Sequence, residues 1–192
     1  MNWHIRKFHL ISPFYQLFFK FQTLYYSKLI NAHFNTLTTG GYLRILDLGT
    51  GTGAFGWSFQ KAGHHVMAAD AAPGMVKLCR KNGLDCVEFD ILEGIPFKDN
   101  SFAVVTGAYI AHGMSRPERE ILYKEASRVA DKYVLFHDFS NRYNFVISVI
   151  ERVEGSHYRE FIRSVPREME KYFQKLDVVP VDPWHNWYIG QP

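Results

Sequence analysis

Leu43-Arg44-Ile45-Leu46-Asp47-Leu48-Gly49-Thr50-Gly51-Thr52-Gly53 is the stretch on which the fold of this chain turns. The apolar run Leu43–Leu48 reads as a buried strand. The glycines at 49, 51 and 53 read as a tight turn into a helix, expected over Ala54–Ala62 and stopped at Gly63. Such a turn lets a ligand lie against bare backbone, with the helix N-terminus beyond it. The unit then recurs in kind. His65–Asp70 reads as a strand, and Pro73 opens a helix that runs to Asn82-Gly83. Cys86–Asp90 and Phe102–Tyr109 read as strands, Pro117–Val129 as a helix and Tyr133–Asp138 as a further strand. Strands alternating with helices at this spacing predict crossover units and a parallel sheet. After Asn141 the pattern turns helical. Two late strands, Leu176–Asp182 and Trp187–Gly190, flank the short loop Pro183–Asn186 and predict a closing antiparallel pair.

The bulk numbers fit one such domain. The chain has 192 residues, 47% hydrophobic and 21% charged, which is ordinary for a globular domain with a sizeable core. A net charge of +3, without a block of Lys and Arg, gives no electrostatic footprint for nucleic acid. Cys79 and Cys86 are the only cysteines and show no disulfide spacing, which points to a reducing, cytoplasmic setting. No apolar run approaches the ~18 residues of a membrane span, and no secretory signal is visible. The N-terminal part is unusual: no Asp or Glu precedes Asp47, and Lys and Arg alternate there with many aromatics.

Two ligand classes use a glycine turn of this kind. Gly51-Thr52-Gly53-Ala54-Phe55-Gly56 matches the dinucleotide fingerprint, with Asp70 near the distance of a ribose-binding acid. Three details favour the other class. Asp47, two residues before the first glycine, would repel a pyrophosphate but suits a cationic amino group. Gly51 falls late relative to the strand and leaves Gly49 unexplained in the dinucleotide reading. A third acid, Asp90, closes the third strand.

With those residues in view, Ile45–Gly53 resembles the cofactor motif of class I methyltransferases dependent on S-adenosylmethionine (SAM). Asp70-Ala71-Ala72-Pro73-Gly74-Met75 resembles that family's second-strand acid and helix start. Phe89-Asp90, Ile95-Pro96-Phe97 and Asn100-Ser101-Phe102 resemble its approach to the fourth strand, and Glu125–Val129 its helix before the fifth. The likeness runs from about Leu43 to Asp138. It implies a Rossmann-like α/β fold: a mostly parallel seven-stranded sheet with helices on both faces and an antiparallel last strand. It also implies SAM as cofactor. Asp47 and the backbone at Gly49, Thr50, Gly51 and Gly53 would hold the methionine part, and Asp70 the ribose hydroxyls. Asp90 would face the adenine amino group, with Ile91 packing on the ring; Ala71, Met75 and Tyr109 complete the implied cofactor set. The plain alternative for Asp70 and Asp90 is a solvated acid capping a strand end. Two departures stand out: Ala103 where many members have Asp, and Ala130-Asp131-Lys132 in place of a Pro-Gly-Gly turn.

Methyl transfer from a sulfonium is an in-line displacement in which the protein aligns the nucleophile, excludes water and sometimes removes a proton. Open α/β sheets bind ligands beyond the carboxyl ends of their strands. That points to the loop Tyr109-Ile110-Ala111-His112-Gly113-Met114, with His112 as the base or, equally, as a loop His bonded to backbone. His137 and Asp138 end the fifth strand and are expected to line the same cleft. They are too few for a metal site, and none is expected. His64-His65 fall at the wrong end of the sheet. No Asp/Asn-Pro-Pro-aromatic motif follows the fourth strand, which weighs against nucleic acid as substrate and leaves a small molecule.

From Phe14 to Ala32 the apolar residues Phe14, Leu17, Phe18, Phe21, Leu24, Tyr25 and Leu29 fall at helical spacing, before a break at Thr38-Thr39-Gly40-Gly41. Residues 1–40 are expected to form a helical lid on the substrate side of a SAM-binding domain spanning 41–192, a single domain overall. His9–Tyr15 faintly resembles the N-terminus of quinone-biosynthesis methyltransferases. The second reading of the segment is peripheral contact with a membrane surface. The function expected is methyl transfer to a small apolar or aromatic acceptor. An NAD(P)-dependent oxidoreductase and a non-catalytic SAM-binding module are the alternatives.

Overall fold

The structure, a computed structural model, describes residues 3–34, 41–153 and 155–192, with side chains described from Gln16 onward. The break expected at Thr38–Gly40 and the side chain of Phe14 lie outside the described residues. The chain divides into two compact units, Met1–Asp90 and Ile91–Pro192.

The first unit holds helix α1 (Trp3–Leu29), strand β1 (Arg44–Leu48), helix α2 (Ala54–Lys61), strand β2 (His65–Asp70), helix α3 (Pro73–Lys81) and strand β3 (Asp85–Glu88). β1 pairs parallel with β2, placing Asp47 opposite Ala68, and β2 pairs parallel with β3. Ile45, Leu46 and Leu48 are fully buried, as a strand covered on both faces requires. α3 opens with Pro73 at its first turn, and Gly63, at φ +98°, follows the end of α2. Cys79 and Cys86 are both free thiols and both buried.

The second unit holds strand β4 (Phe102–Ala108), helix α4 (Arg116–Val129), strand β5 (Ala130–Phe139), helices α5 (Phe145–Val153) and α6 (Tyr158–Met169), and strands β6 (Lys175–Pro180) and β7 (His185–Gln191). β4 and β5 are parallel, whereas β7 runs antiparallel to both β5 and β6. The strand order of the seven-stranded sheet is β3-β2-β1-β4-β5-β7-β6, so the expected parallel sheet with its antiparallel last strand is present. At the start of α4, Glu118 accepts the Ser115 backbone N–H at 2.8 Å and its hydroxyl at 2.7 Å. With the Ser115 side chain accepting the Glu118 backbone N–H in return, this capping box fixes the first turn. Further along, the fully buried Arg119 reaches α6, donating to both carboxylate oxygens of Glu168 at 2.8 and 2.9 Å and to the Met114 carbonyl at 2.7 Å. A buried cation is tolerable only with this many acceptors.

α1 corrects one expectation. Leu17, Phe18, Phe21 and Leu24, expected to bury, are 56–75% exposed, while Thr23, Tyr26, Leu29, Ile30 and Phe34 are buried. The buried side packs on α2: Tyr26 stacks on Phe55 with ring centroids 4.9 Å apart, Ser58 donates to the Thr23 carbonyl, and Phe34 meets Phe59 at 4.8 Å. Gln16 and Asn82, which follows α3, exchange hydrogen bonds at 2.8 and 3.1 Å. The described part of the N-terminal segment thus belongs to the core of the first unit. The physical reason is that aromatics at adjacent positions make the helix apolar on more than one side. The side that meets Phe55 and Ser58 is the one buried.

Candidate active site and its relatives

The first unit carries the glycine turn. Gly49, Gly51 and Gly53 all have positive φ (+58°, +57° and +89°), a backbone region that side chains with a Cβ rarely adopt. A Cβ at Gly53 would lie 2.6 Å from Leu84 Cδ1, whereas one at Gly51 would meet nothing within 4 Å. Gly53 is therefore glycine for packing, and Gly51 borders open space that a ligand can enter. Asp47 is completely buried beneath the turn, where its carboxylate accepts the Thr50 hydroxyl and the Gly56 N–H. It shapes the turn from below.

Asp70, at the end of β2, accepts the Gly51 N–H on one oxygen at 2.9 Å and the Ala72 N–H on the other at 2.8 Å. Burial raises its pKa, while the amides of Ala72, Gly51 and Ala71 oppose that rise. Three backbone donors do not exhaust the roughly four lone-pair sites of a carboxylate, which leaves room for a further donor such as a ribose hydroxyl. Ala71 is half-buried beside it; Met75 is 2% exposed and serves mainly to pack α3. Asp90 is half-buried after β3, and Ile91, which opens the 3-10 turn Ile91–Glu93, is buried.

The second unit carries the other half of the predicted set. Asp138, fully buried at the end of β5, accepts the backbone N–H groups of Ala111 (3.0 Å), His112 (3.2 Å) and Phe139 (2.8 Å). Its remaining contact is His112 Nδ1 at 2.7 Å. His112 Nε2 in turn lies 3.3 Å from Glu151 of α5. Burial alone would push the His112 pKa down. The Asp138 charge and the hydrogen bonds to Asp138 and Glu151 outweigh it and bring the ring up to about 10. For the two acids burial acts in the opposite sense, and His112 overcomes it to hold both below the usual carboxylate range. His112 is accordingly an imidazolium with both nitrogens committed. In this arrangement both ring nitrogens meet carboxylates, and His112 donates to them.

Rings surround His112: Phe139 at 4.8 Å, Tyr109 at 6.1 Å and Phe161 at 6.4 Å between centroids. Tyr109 follows β4 at φ +54°, a left-handed conformation that is costly without glycine and often marks a functional turn. Its N–H donates to the His137 carbonyl at 2.8 Å. His137 does not line a cleft: it is fully buried and held neutral, its pKa pushed down to about 3 by burial and then by His185. Sequence reasoning missed Glu151. Its only signal was an acid on the polar side of α5, and the contact is tertiary.

A strand–glycine turn–helix with an acid under the turn and another at the next strand end defines a nucleoside-cofactor domain of Rossmann-like topology. Residues 45–132 match the family model described as a methyltransferase domain. The segment is 38% identical over 80 residues to a demethylmenaquinone methyltransferase of Clavibacter sepedonicus, an alignment covering 40% of this chain and 33% of that one. It is 41% identical over 64 residues to a malonyl-[acyl-carrier protein] O-methyltransferase of Erwinia pyrifoliae, covering 33% and 24%. The matches span a third or less of these curated relatives.

Solved structures match over far more of the chain. One from Thermotoga maritima, described as a SAM-dependent methyltransferase and possible histamine N-methyltransferase, superimposes with a TM-score of 0.70 at 17% identity over 99% of both chains. A SAM-dependent methyltransferase from Aquifex aeolicus gives 0.65 at 20% identity, over 84% of this chain and 88% of that one. Residues 45–132 are thus similar to a methyltransferase domain, and these solved structures, described as SAM-dependent methyltransferases, share the fold of the chain.

Proposed function

We propose that this protein transfers the methyl group of SAM to a small apolar or aromatic acceptor. The observation that carries the acceptor class is the group of rings around His112. SAM, when bound, supplies an electrophilic methyl on a sulfonium. Within the first unit the residues available to hold it fit: bare backbone at Gly49 and Gly51, open space around Gly51 and a spare lone pair on Asp70, with Ala71 and Asp90 nearby in the chain; Ile91 and Tyr109 belong to the set that the sequence resemblance implies. Asp47 contributes by holding the turn in shape.

On the acceptor side, Asp138 keeps a proton on His112 Nδ1 and anchors the turn Ala111–Gly113 through two N–H groups. Base function then depends on Glu151. While it accepts from Nε2, His112 stays a cation. When Glu151 withdraws, the His112 pKa falls, and Nε2 becomes the acceptor for an acceptor-molecule proton. Where no proton need be removed, alignment alone carries the step.

Calorimetry with SAM, its demethylated product and NAD tests the cofactor assignment; binding of NAD in place of SAM would overturn it. Turnover with labelled SAM across phenols, quinols, amines and aliphatic acids tests the acceptor class. Exclusive methylation of charged, non-aromatic acceptors would overturn that half.

A further inference from the structure

α1, α2 and α3 pack together as a helical layer whose charges are all of one sign. Among the 82 residues up to Asn82 only Asp47 and Asp70 are acidic, both on strands, and Asp47 is fully buried. The three helices themselves carry no acid. Among the residues whose side chains are described, their exposed charges are Lys20, Lys28, Lys61, Lys77, Arg80 and Lys81. Alongside them α1 exposes Leu17 (75%), Phe18 (56%), Phe21 (73%) and Leu24 (64%), an apolar strip left open by the described residues of its own unit. Trp57 lies half-buried between the two kinds of surface, with Phe19 against its edge at 6.1 Å and the Lys61 ammonium 5.1 Å from its ring.

From this juxtaposition we propose that the outer face of α1, with the basic flank of α2 and α3, docks the protein on the surface of an anionic lipid bilayer. Aliphatic and aromatic side chains enter the headgroup boundary while lysines meet lipid phosphates, the pattern of a helix lying in the interface plane. Among the described residues no helix is long and apolar enough to cross a membrane, so the contact is peripheral. A second copy of the chain fits this face poorly, because a two-fold contact would bring two acid-free basic strips together. Nucleic acid would match the lysines and leave Leu17 and Leu24 in water.

Co-sedimentation of the full-length protein with vesicles tests this. Phosphatidylglycerol mixed equally with phosphatidylcholine should pellet it, and phosphatidylcholine alone should not; raised salt should weaken the binding. Phe18→Ser with Phe21→Ser should reduce partitioning on the order of tenfold or more, and Lys20→Glu with Lys28→Glu by a similar factor. Both pairs are exposed, and unchanged circular dichroism and thermal midpoint will show that the fold is kept. Failure to pellet with anionic vesicles, or pelleting that both variants retain, overturns the proposal. So does a concentration-dependent dimer that Phe21→Ser dissolves, or tighter binding to a duplex oligonucleotide than to vesicles.

Discussion

Asp47 and Asp138 occupy matching stations in the two units. Each is a fully buried acid near the carboxyl-terminal end of a parallel strand; Asp47 holds the turn that follows its own strand, and Asp138 holds the turn Ala111–Gly113 that follows β4. Their partners differ. Asp47 takes a hydroxyl and an amide, both neutral, and its turn stays passive backbone. Asp138 takes three amides and a charged imidazole, and that turn becomes titratable. One unit uses a buried carboxylate to shape a cradle; the other uses it to hold and charge a side chain.

The sharpest break of this comparison is Asp138→Ala. It strips the counter-charge from buried His112 and orphans three N–H groups, so unfolding by denaturant should show a loss of about 3–5 kcal/mol. Asp138→Asn should recover part of that loss and leave His112 neutral near pH 7. Equal stability of wild type and alanine variant would mean that the pair is dispensable.

Gly51→Val probes the passive turn. The open space around the missing Cβ limits the stability cost to the strained φ, about 1–2 kcal/mol, while SAM binding by calorimetry should vanish. Wild-type affinity in that variant would sink the cradle assignment. Asp70→Ala and Asp90→Ala should be milder, weakening SAM by roughly tenfold to a hundredfold, the cost of one lost acceptor of about 1–3 kcal/mol. An acid whose removal leaves affinity unchanged is a strand cap only.

The smallest effect expected is in the pH response. Since His112 is raised from 6.5 to about 10 on folding, its contribution to stability is complete below 6.5 and is lost as pH climbs through about 10. Asp138 and Glu151 are depressed, so theirs is lost on the acid side, as pH falls through their lowered values. Glu151→Gln should lower the His112 ring titration seen by NMR and move the rise of turnover to lower pH. An unmoved titration would remove Glu151 from the site.

How much of this was readable from sequence follows from the range of the interactions. The glycine turn, the acids Asp47 and Asp70 on β1 and β2, and the parallel sheet are local patterns of a few residues and are present in the structure, whereas Asp90, expected to close the third strand, lies two residues beyond β3. The place of His112 after β4 was also legible. Its protonation was not, because it is set by two carboxylates brought in from β5 and α5. The buried side of α1 was illegible for a different reason. Phe18, Phe19, Phe21, Tyr25 and Tyr26 are apolar around most of the helix, and only contact with α2 and α3 selects Tyr26 over Phe21.

Both cysteines lie in the first unit and both are buried. A hydrogen bond with Cys86, burial and nearby Asp47 and Asp70 push the Cys79 thiol far up its scale, so in the folded protein it has almost no thiolate to offer. Alkylation there must wait for the first unit to open. The rate of labelling by a thiol reagent is then a clock for that opening, and a bound cofactor that clamps the glycine turn should slow it in proportion to its occupancy.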